Sequence, residues 1–110
     1  MITRYAFFEG HVKLGFEDEF TSFVHQRLLP LWIEFPGAEM VRVMRPLQSD
    51  TSEPHYEMIL AVDYKNLEAI EMALRSDVRM KSRTETTELM KMFDGRIFHT
   101  VLQTDEFVTA

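Results

Sequence analysis

The chain contains no cysteine among its 110 residues. Disulfides, thiolate zinc sites, iron–sulfur ligation and cysteine nucleophiles are therefore excluded. Glycine and proline are scarce, with four residues of each, and no repeat, low-complexity segment or linker is present. These absences favour one folded unit that is held together by side-chain packing.

Long apolar runs are also missing. The longest, residues 28–33, contains Pro30 and is far shorter than the ~20 residues that span a bilayer. The first residues lack the apolar stretch and small-residue cleavage site of a signal peptide. We therefore expect a cytoplasmic protein that does not bind membranes.

Basic residues are outnumbered, with 12 Lys and Arg against 18 Asp and Glu and a formal net charge of −6. An acidic surface repels phosphate backbones and anionic lipids. Nucleic acid is thus not expected as a partner.

The apolar content is substantial, at 45% of residues, and includes nine Phe, eight Met and one Trp. A chain of this length typically buries about 65% of its unfolded surface, which is enough for one core. We predict a single domain spanning residues 1–110.

The pattern of apolar residues predicts four strands and two helical regions. The strands are expected at residues 5–12, 38–45, 55–64 and 96–103. The first helix is expected from Glu17 until Pro36-Gly37 ends it, with a bend at Pro30. The second begins with a cap at Asn66 and runs to Phe93, with a break at Ser76-Asp77. Asp94-Gly95 is expected to form the turn that ends it.

This order predicts an α+β, ferredoxin-like βαββαβ fold with a four-stranded antiparallel sheet and helices on one face. Even positions of the third strand are expected under the helices: Tyr56, Met58, Leu60, Val62 and Tyr64. Other apolar residues are expected on the opposite face: Tyr5, Phe7, Val41, Val43, Ile59 and Ala61. Because helices cover only one side of such a sheet, the second apolar face predicts a homodimer.

Three segments carry a resemblance to a known family group: FFEGHVKLGFEDEFTSFV, FPGAEMVRVMR and MFDGRIFHTVLQ. They resemble the dimeric α+β barrel superfamily, with the EthD-like and antibiotic-biosynthesis-monooxygenase-like branches nearest. The resemblance implies a homodimer with a small-molecule cavity between the helices and the sheet. It also implies an activity among cofactor-independent oxygenases, small-molecule isomerases and haem-degrading enzymes.

Aromatic residues and one histidine are candidates to line that cavity. His25 and Trp32 lie seven residues apart, on one side of a regular helix. Tyr56, with Met58 on the same predicted strand face, would complete a substrate-binding wall. The alternative is that Trp32 and Tyr56 are core aromatics and that His25 is a partly exposed, hydrogen-bonded side chain.

Arg42 and His99 are the strand residues with potential chemistry. Arg42 lies between two valines, where a cation needs an acid or an anionic ligand. It would hold a carboxylate or enolate, or else pair with an acid such as Glu39 or Glu57. His99 lies on the same strand face as Ile97, and Phe98 and Leu102 lie on the opposite face. Because both faces carry apolar residues, the sequence does not decide which face His99 occupies.

Glu9, His11, His55 and Glu57 are expected on one sheet face. Two imidazoles and carboxylates resemble a metal shell in composition, but no spacing makes them converge. Hydrogen bonding is the favoured interpretation, and no metal is expected.

Arg75, Arg79, Lys81 and Arg83 form a basic cluster in an acidic chain. The cluster would either steer an anionic substrate toward a pocket or form a solvated, dipole-complementing surface. The solvated surface is the favoured interpretation.

The sequence thus predicts a cofactor-free oxygenase or isomerase that acts on an apolar, aromatic or enolisable compound. His25 or His99 would take the proton, Arg42 or Tyr56 would stabilise the oxyanion, and Trp32 would stack on the substrate. One alternative is a non-catalytic ligand-binding or dimer-forming protein. A second is haem binding or haem degradation through a histidine.

Overall fold

The computed structural model describes all 110 residues, Met1–Ala110. The strands are β1 (Ile2–Val12), β2 (Met40–Met44), β3 (Tyr56–Tyr64) and β4 (Phe93–Gln103). The helices are α1 (Glu17–Phe23), α2 (Leu29–Trp32), α3 (Leu67–Leu74) and α4 (Asp77–Leu89). A π-helical segment occupies Val24–Leu28, and a 3₁₀ turn occupies Met90–Met92. None of the helices combines the length and the apolar composition that crossing a bilayer requires.

The four strands form one antiparallel sheet in the order β2-β3-β1-β4. The core lies between one face of this sheet and the helices, where Phe8 and Met58 pack with Val24 and Leu28. Two layers in this strand order confirm the predicted ferredoxin-like α+β fold.

Local sequence explains where the second helical region divides. The Asn66 side chain accepts a 2.9 Å hydrogen bond from the Ala69 backbone N–H and caps α3. Ser76 caps α4 in the same way, accepting from the Arg79 N–H at 3.2 Å. The predicted cap and the predicted break are both confirmed.

Pro30 changes the helical path that joins α1 to α2. Proline has no N–H, so the carbonyl four residues before it loses its usual partner. In the π-helical segment just upstream, the Leu29 N–H donates to the Val24 carbonyl, five residues back. Because a π turn holds more residues than an α turn, side chains after it are rotated relative to those before it.

The faces of β2 are the reverse of the prediction. Val41 pairs with Val62 and Val43 pairs with Leu60, so both valines face the helices. The expectation that they lie on the outer face is wrong. The outer face of β2 is occupied instead by Met40, Arg42 and Met44. A shift of one residue in register exchanges the two faces of a strand, which accounts for the reversal.

Tyr56 also lies on the face opposite to its predicted one. The β1–β3 ladder is irregular between Phe8 and Glu9, where Phe8 pairs with Met58 but Glu9 pairs with Tyr56. The extra residue, Glu57, turns Tyr56 outward. Its ring lies 5.4 Å from that of Phe7 on the outer face.

Asp94-Gly95 is part of a strand and not the predicted turn. β4 begins at Phe93, and Gly95 pairs with Gly10 of β1. Both glycines have positive φ, and a Cβ on either would collide with the backbone of the opposite strand. The ladder therefore requires glycine at this point. α4 ends through the 3₁₀ turn instead.

Candidate functional site: a cavity between the sheet and α4

A cavity of about 410 Å³ lies between the helix-facing side of the sheet and α4. Its floor is built from three rows of paired residues on β3, β1 and β4. From one end to the other, the rows are Val62–Arg4–Val101, Leu60–Ala6–His99 and Met58–Phe8–Ile97. Six of these residues line the cavity: Arg4, Ala6, Phe8, Leu60, Ile97 and His99. Ala6 is the smallest side chain in the central row. We attribute the space above the floor to this short side chain.

The roof of the cavity is one face of α4. The lining residues recur at the three- and four-residue spacing of a helix stripe: Arg79, Ser82, Arg83, Thr86 and Thr87. A helix stripe that faces a core is normally apolar. Here it is polar throughout, so α4 covers the sheet without filling the space beneath it.

Aromatic side chains close the cavity at one side. Trp32, at the end of α2, and Phe35, in the turn that follows, both line it and are both buried. The cavity thus combines an apolar floor, an aromatic wall and a cationic, hydroxyl-bearing roof.

Three arginines line the cavity: Arg4 on the floor and Arg79 and Arg83 on the roof. No carboxylate lines it, and none of the protein's ion pairs involves these three residues. Desolvation, followed by the charge of Arg79, lowers the pKa of Arg4. The pKa of Arg79 is lowered by desolvation and then by Arg83. The cationic groups therefore repel one another within an acidic protein.

His99 belongs to this cluster. Its pairing with Ala6 puts it on the helix-facing side of β4, which decides the question that the sequence left open. The residue is exposed, lies in the central row of the floor on the edge strand β4, and lines the cavity. Desolvation of the ring, followed by the positive charges of Arg4 and Arg79, lowers its pKa from 6.5 to about 4. The imidazole is accordingly neutral at physiological pH and can accept a proton.

His25, Trp32 and Tyr56, which were predicted to converge, are dispersed. His25 is exposed, and its Nδ1–H donates to the Thr21 carbonyl at 3.0 Å. The π-helical segment removes the seven-residue alignment of His25 with Trp32, because it contains His25 and ends four residues before Trp32. Tyr56 lies across the sheet on the outer face. Only Trp32 lines the cavity, and Met58 is fully buried in the core below it.

Arg42 also lies away from the cavity, on the outer face. Its guanidinium donates to both carboxylate oxygens of Asp63, at 2.7 and 2.9 Å. Asp63 is buried and also accepts from the Thr3 hydroxyl at 2.7 Å. The alternative of an acid partner is therefore the observed one, although the partner is neither Glu39 nor Glu57.

The two strand histidines stack on each other at one end of the sheet. The rings of His11 and His55 lie 4.4 Å apart and parallel, and His55 contacts the Glu57 carboxylate at 3.4 Å. Glu9 instead pairs with Arg96 at 2.7 Å. No group of three or more His, Asp or Glu side chains is arranged to hold a metal ion.

Sequence reasoning missed Arg4 and the hydroxyl residues of α4, and it favoured a solvated surface for the basic cluster. Arg79 and the exposed Arg83 line the cavity, whereas Arg75 and Lys81 are exposed and do not line it. The sequence did contain one relevant signal, because Arg79, Ser82, Arg83, Thr86 and Thr87 follow the spacing of a single helix face.

The outer face of the sheet carries an aromatic cluster, which we call the outer aromatic cluster: Tyr5, Phe7, Tyr56 and Phe98. The Phe7 ring stacks on Phe98 at 5.0 Å and on Tyr5 at 5.8 Å. The flanking residues Ile59 and Ala61 are paired with Phe7 and Tyr5. No helix of the chain covers this face.

Comparison with known proteins gives a clear result for the fold. No family model and no curated protein matches the chain. Solved structures do match: an ethyl tert-butyl ether D (EthD) family protein from Bacillus halodurans has a TM-score of 0.73 and 18% identity, over 96% of this chain and 99% of that one. SnoaB, a cofactor-independent oxygenase from Streptomyces nogalater, has a TM-score of 0.68 and 16% identity, over 99% of this chain and 97% of SnoaB. An antibiotic biosynthesis monooxygenase has a TM-score of 0.65 and 8% identity, over 96% of this chain and 100% of the monooxygenase chain.

The class of protein follows from the fold, the cavity and these likenesses. The chain shares the ferredoxin-like α+β fold of these structures, which is the fold that the sequence resemblance implied. Within that class its neighbours include EthD-like and monooxygenase-like structures. At these identities the likeness establishes the fold alone.

Proposed function

We propose that this chain is a single-domain, cofactor-independent enzyme, an oxygenase or isomerase, that acts on an apolar or aromatic small molecule in the sheet–α4 cavity. One observation carries the proposal: His99, whose pKa is lowered to about 4, lines the same cavity as Trp32 and Arg4. The neutral imidazole is the form that accepts a proton, and the positive charge that makes it a weaker base also stabilises the anion that proton removal leaves. The cofactor-independent oxygenase among the structural neighbours agrees with this choice.

The chemistry assigns one role to each group. His99 accepts a proton from an acidic C–H or O–H of the substrate, and Arg4 and Arg79 stabilise the enolate or phenolate that forms. In an isomerase the proton returns to a different carbon, so no oxidant is needed. In an oxygenase, dioxygen is the co-substrate that oxidises the anion. Trp32 forms the aromatic wall against which the substrate packs.

This proposal keeps two of the residues selected from the sequence. His99 and Trp32 retain their predicted roles, as the proton acceptor and the stacking side chain. His25, Arg42 and Tyr56 have no role in it, because they do not line the cavity. Arg4 and Arg79 take the oxyanion role that had been predicted for Arg42 or Tyr56.

The proposed active form is a homodimer in which the outer sheet face packs on the same face of a second copy. Support comes from the outer aromatic cluster and from exposed Met40, Met44 and Leu102 on that face. Contiguous apolar surface of this kind is typical of subunit interfaces.

The test is a turnover assay on aromatic and enolisable compounds that raise the melting temperature. A ligand at 100 times its dissociation constant stabilises the folded state by about 2.7 kcal/mol. His99→Gln is expected to lower kcat about 10²-fold or more while binding survives. His25→Gln is the matched control and is expected to retain activity, because His25 is exposed and outside the cavity.

Two results would contradict the proposal. Binding without turnover in air, across neutral pH, would favour the non-catalytic ligand-binding alternative. A shifted Soret band after addition of haem, lost in a histidine variant, would favour the haem alternative.

A further inference from the structure

Arg4 and Arg79 are partly desolvated, and neither they nor the exposed Arg83 has a carboxylate partner. Arg4 approaches from the floor, and Arg79 and Arg83 approach from the roof, one helical turn apart. Each is free of carboxylates, although the chain carries 18 Asp and Glu against 12 Lys and Arg. A cluster of like charges that has no counter-ion in an acidic protein destabilises the fold. An anion bound between floor and roof would relieve this repulsion.

The hydroxyl groups of the roof do not compete for such a ligand. The Ser82 hydroxyl donates to the Arg79 carbonyl at 2.9 Å, the Thr86 hydroxyl donates to the Ser82 carbonyl at 2.7 Å, and the Thr87 hydroxyl donates to the Arg83 carbonyl at 3.1 Å. Their protons are therefore used within α4. The guanidinium groups remain as the donors of the roof, so the polar part of the ligand must be an acceptor.

The apolar floor defines the remainder of the ligand. Beyond the Arg4 row, the floor continues through Ala6 and Leu60 to Phe8 and Ile97, with Trp32 as the wall. A bare inorganic anion would leave this surface uncovered. An organic anion with an apolar body satisfies both ends of the cavity.

We propose that the ligand of the sheet–α4 cavity is an organic carboxylate with an apolar or aromatic body, whose carboxylate is held between Arg4 on the sheet and Arg79 and Arg83 on α4. This inference rests on the proposed function and narrows its substrate class to acids. Arg–carboxylate contacts are bidentate and charge-assisted, which gives them both strength and orientation.

The order of the rows also orients the ligand. His99 lies in the row next to that of Arg4, about 7 Å further along the strand. A carboxylate at the arginines puts the atoms nearest to it beside His99 and the far end of the body against Phe8 and Trp32. The proton that His99 removes therefore comes from a position near the carboxylate.

The experiment compares two ligands of the same shape, 3-phenylpropanoate and 3-phenylpropanamide. The fluorescence of Trp32, the only tryptophan, reports occupancy of the cavity directly. The carboxylate is expected to bind about tenfold or more tightly than the amide. Inorganic phosphate, which has the charge without the apolar body, is expected to bind more weakly than the carboxylate.

Arginine variants identify the groups that hold the carboxylate. Arg79→Gln is expected to remove most of the difference between carboxylate and amide. Lys81→Gln is the matched control on the same helix, because it removes the same charge from an exposed position outside the cavity. Arg4→Gln provides a second, independent test from the sheet.

An NMR titration of His99 adds a signature that a purely structural arginine would not produce. Binding of 3-phenylpropanoate is expected to raise the pKa of His99 from about 4, since the carboxylate offsets the charges of Arg4 and Arg79. The amide is expected to leave this pKa unchanged.

The outcomes separate this inference from the proposed function. Equal affinity for amide and carboxylate would overturn the inference while leaving the cavity as a binding site. Phosphate binding as tight as that of 3-phenylpropanoate would also overturn it. If neither aromatic ligand perturbs Trp32 at millimolar concentration, the inference and the proposed use of the cavity are both wrong.

Discussion

At the scale of single residues, neighbours decide what a side chain can do. His25 and His99 are identical chemically, but one is exposed on a helix and bonded to a carbonyl, and the other lies beside two arginines. The alternation of apolar and polar residues along β4 did not decide the face of His99, because Ile97 and Phe98 lie on opposite faces and are both apolar. Only the pairing of Ala6 with His99 settles its face, and strand pairing depends on contacts distant in sequence.

The lowered pKa of His99 predicts a specific dependence of stability on pH. In the unfolded chain His99 titrates near its ordinary value of 6.5, and in the folded protein near 4. As the pH falls through this interval, the unfolded state takes up a proton that the folded state does not, so the free energy of unfolding decreases. In His99→Gln this contribution is expected to disappear.

Urea unfolding at about pH 7 and about pH 4.5 measures the effect. The loss of stability between the two pH values should be smaller in His99→Gln than in the wild type. His25→Gln serves as the control and should lose as much stability as the wild type does. Identical losses in all three proteins would contradict the assigned environment of His99.

At the scale of elements, regular periodicity predicted the fold and failed where one extra residue interrupts it. The order of strands and helices and the caps at Asn66 and Ser76 were readable, because turn and cap residues act locally. The π-helical segment before Pro30 and the bulge at Glu57 could not be predicted from the sequence. Each rotates the residues beyond it, and together they disperse the predicted site of His25, Trp32 and Tyr56.

The polar stripe of α4 was the strongest clue in the sequence to the sheet–α4 cavity. Its hydroxyls and arginines repeat with helical spacing, which in a core-facing helix is incompatible with close packing. The identity of the sheet residues that face it, above all Arg4, depends on the register of β1 with β3 and β4. The roof of the cavity could thus be predicted from the sequence, and the floor could not.

The two faces of β2 provide a test of its register with adjacent residues. Val43 packs against the core under the helices, whereas Met44 lies on the outer face and is 38% exposed. Val43→Glu is expected to destabilise the fold by roughly 1–3 kcal/mol, because it places a carboxylate against the core at a partly buried position. Met44→Glu should leave the protomer folded. Urea unfolding of both variants measures the difference, and equal losses of stability would contradict the pairing of Val43 with Leu60.

At the scale of the whole molecule, charge and apolar surface are distributed unevenly. The chain has a formal net charge of −6, yet its cavity is lined by three arginines and by no acid. The acidic residues lie elsewhere, and one of them, Asp63, pairs with Arg42 on the outer face. The cavity is therefore a local attractive site for anions in a molecule whose average field repels them.

The uncovered outer face predicts that light scattering gives about twice the 13.0 kDa of the chain at micromolar concentration. Phe98 stacks on Phe7 in the outer aromatic cluster, so Phe98→Glu is expected to shift the protein to a monomer, because dimerisation would desolvate the new charge. Leu14→Glu is the matched control, because Leu14 is 93% exposed in the turn that follows β1 and should leave the dimer intact.

If the outer face is a dimer interface, loss of the dimer should also affect ligand binding in the cavity. One face of the sheet forms the cavity floor, and the opposite face forms the proposed dimer interface. β1 contributes to both, with Ala6 and Phe8 on the cavity face and Phe7 on the outer face. A Phe98→Glu monomer that stays folded should bind cavity ligands more weakly, because losing the partner loosens the strands that form the floor. A wild-type monomer at micromolar concentration would remove the basis for both expectations, since the outer aromatic cluster would then be solvated in the free chain.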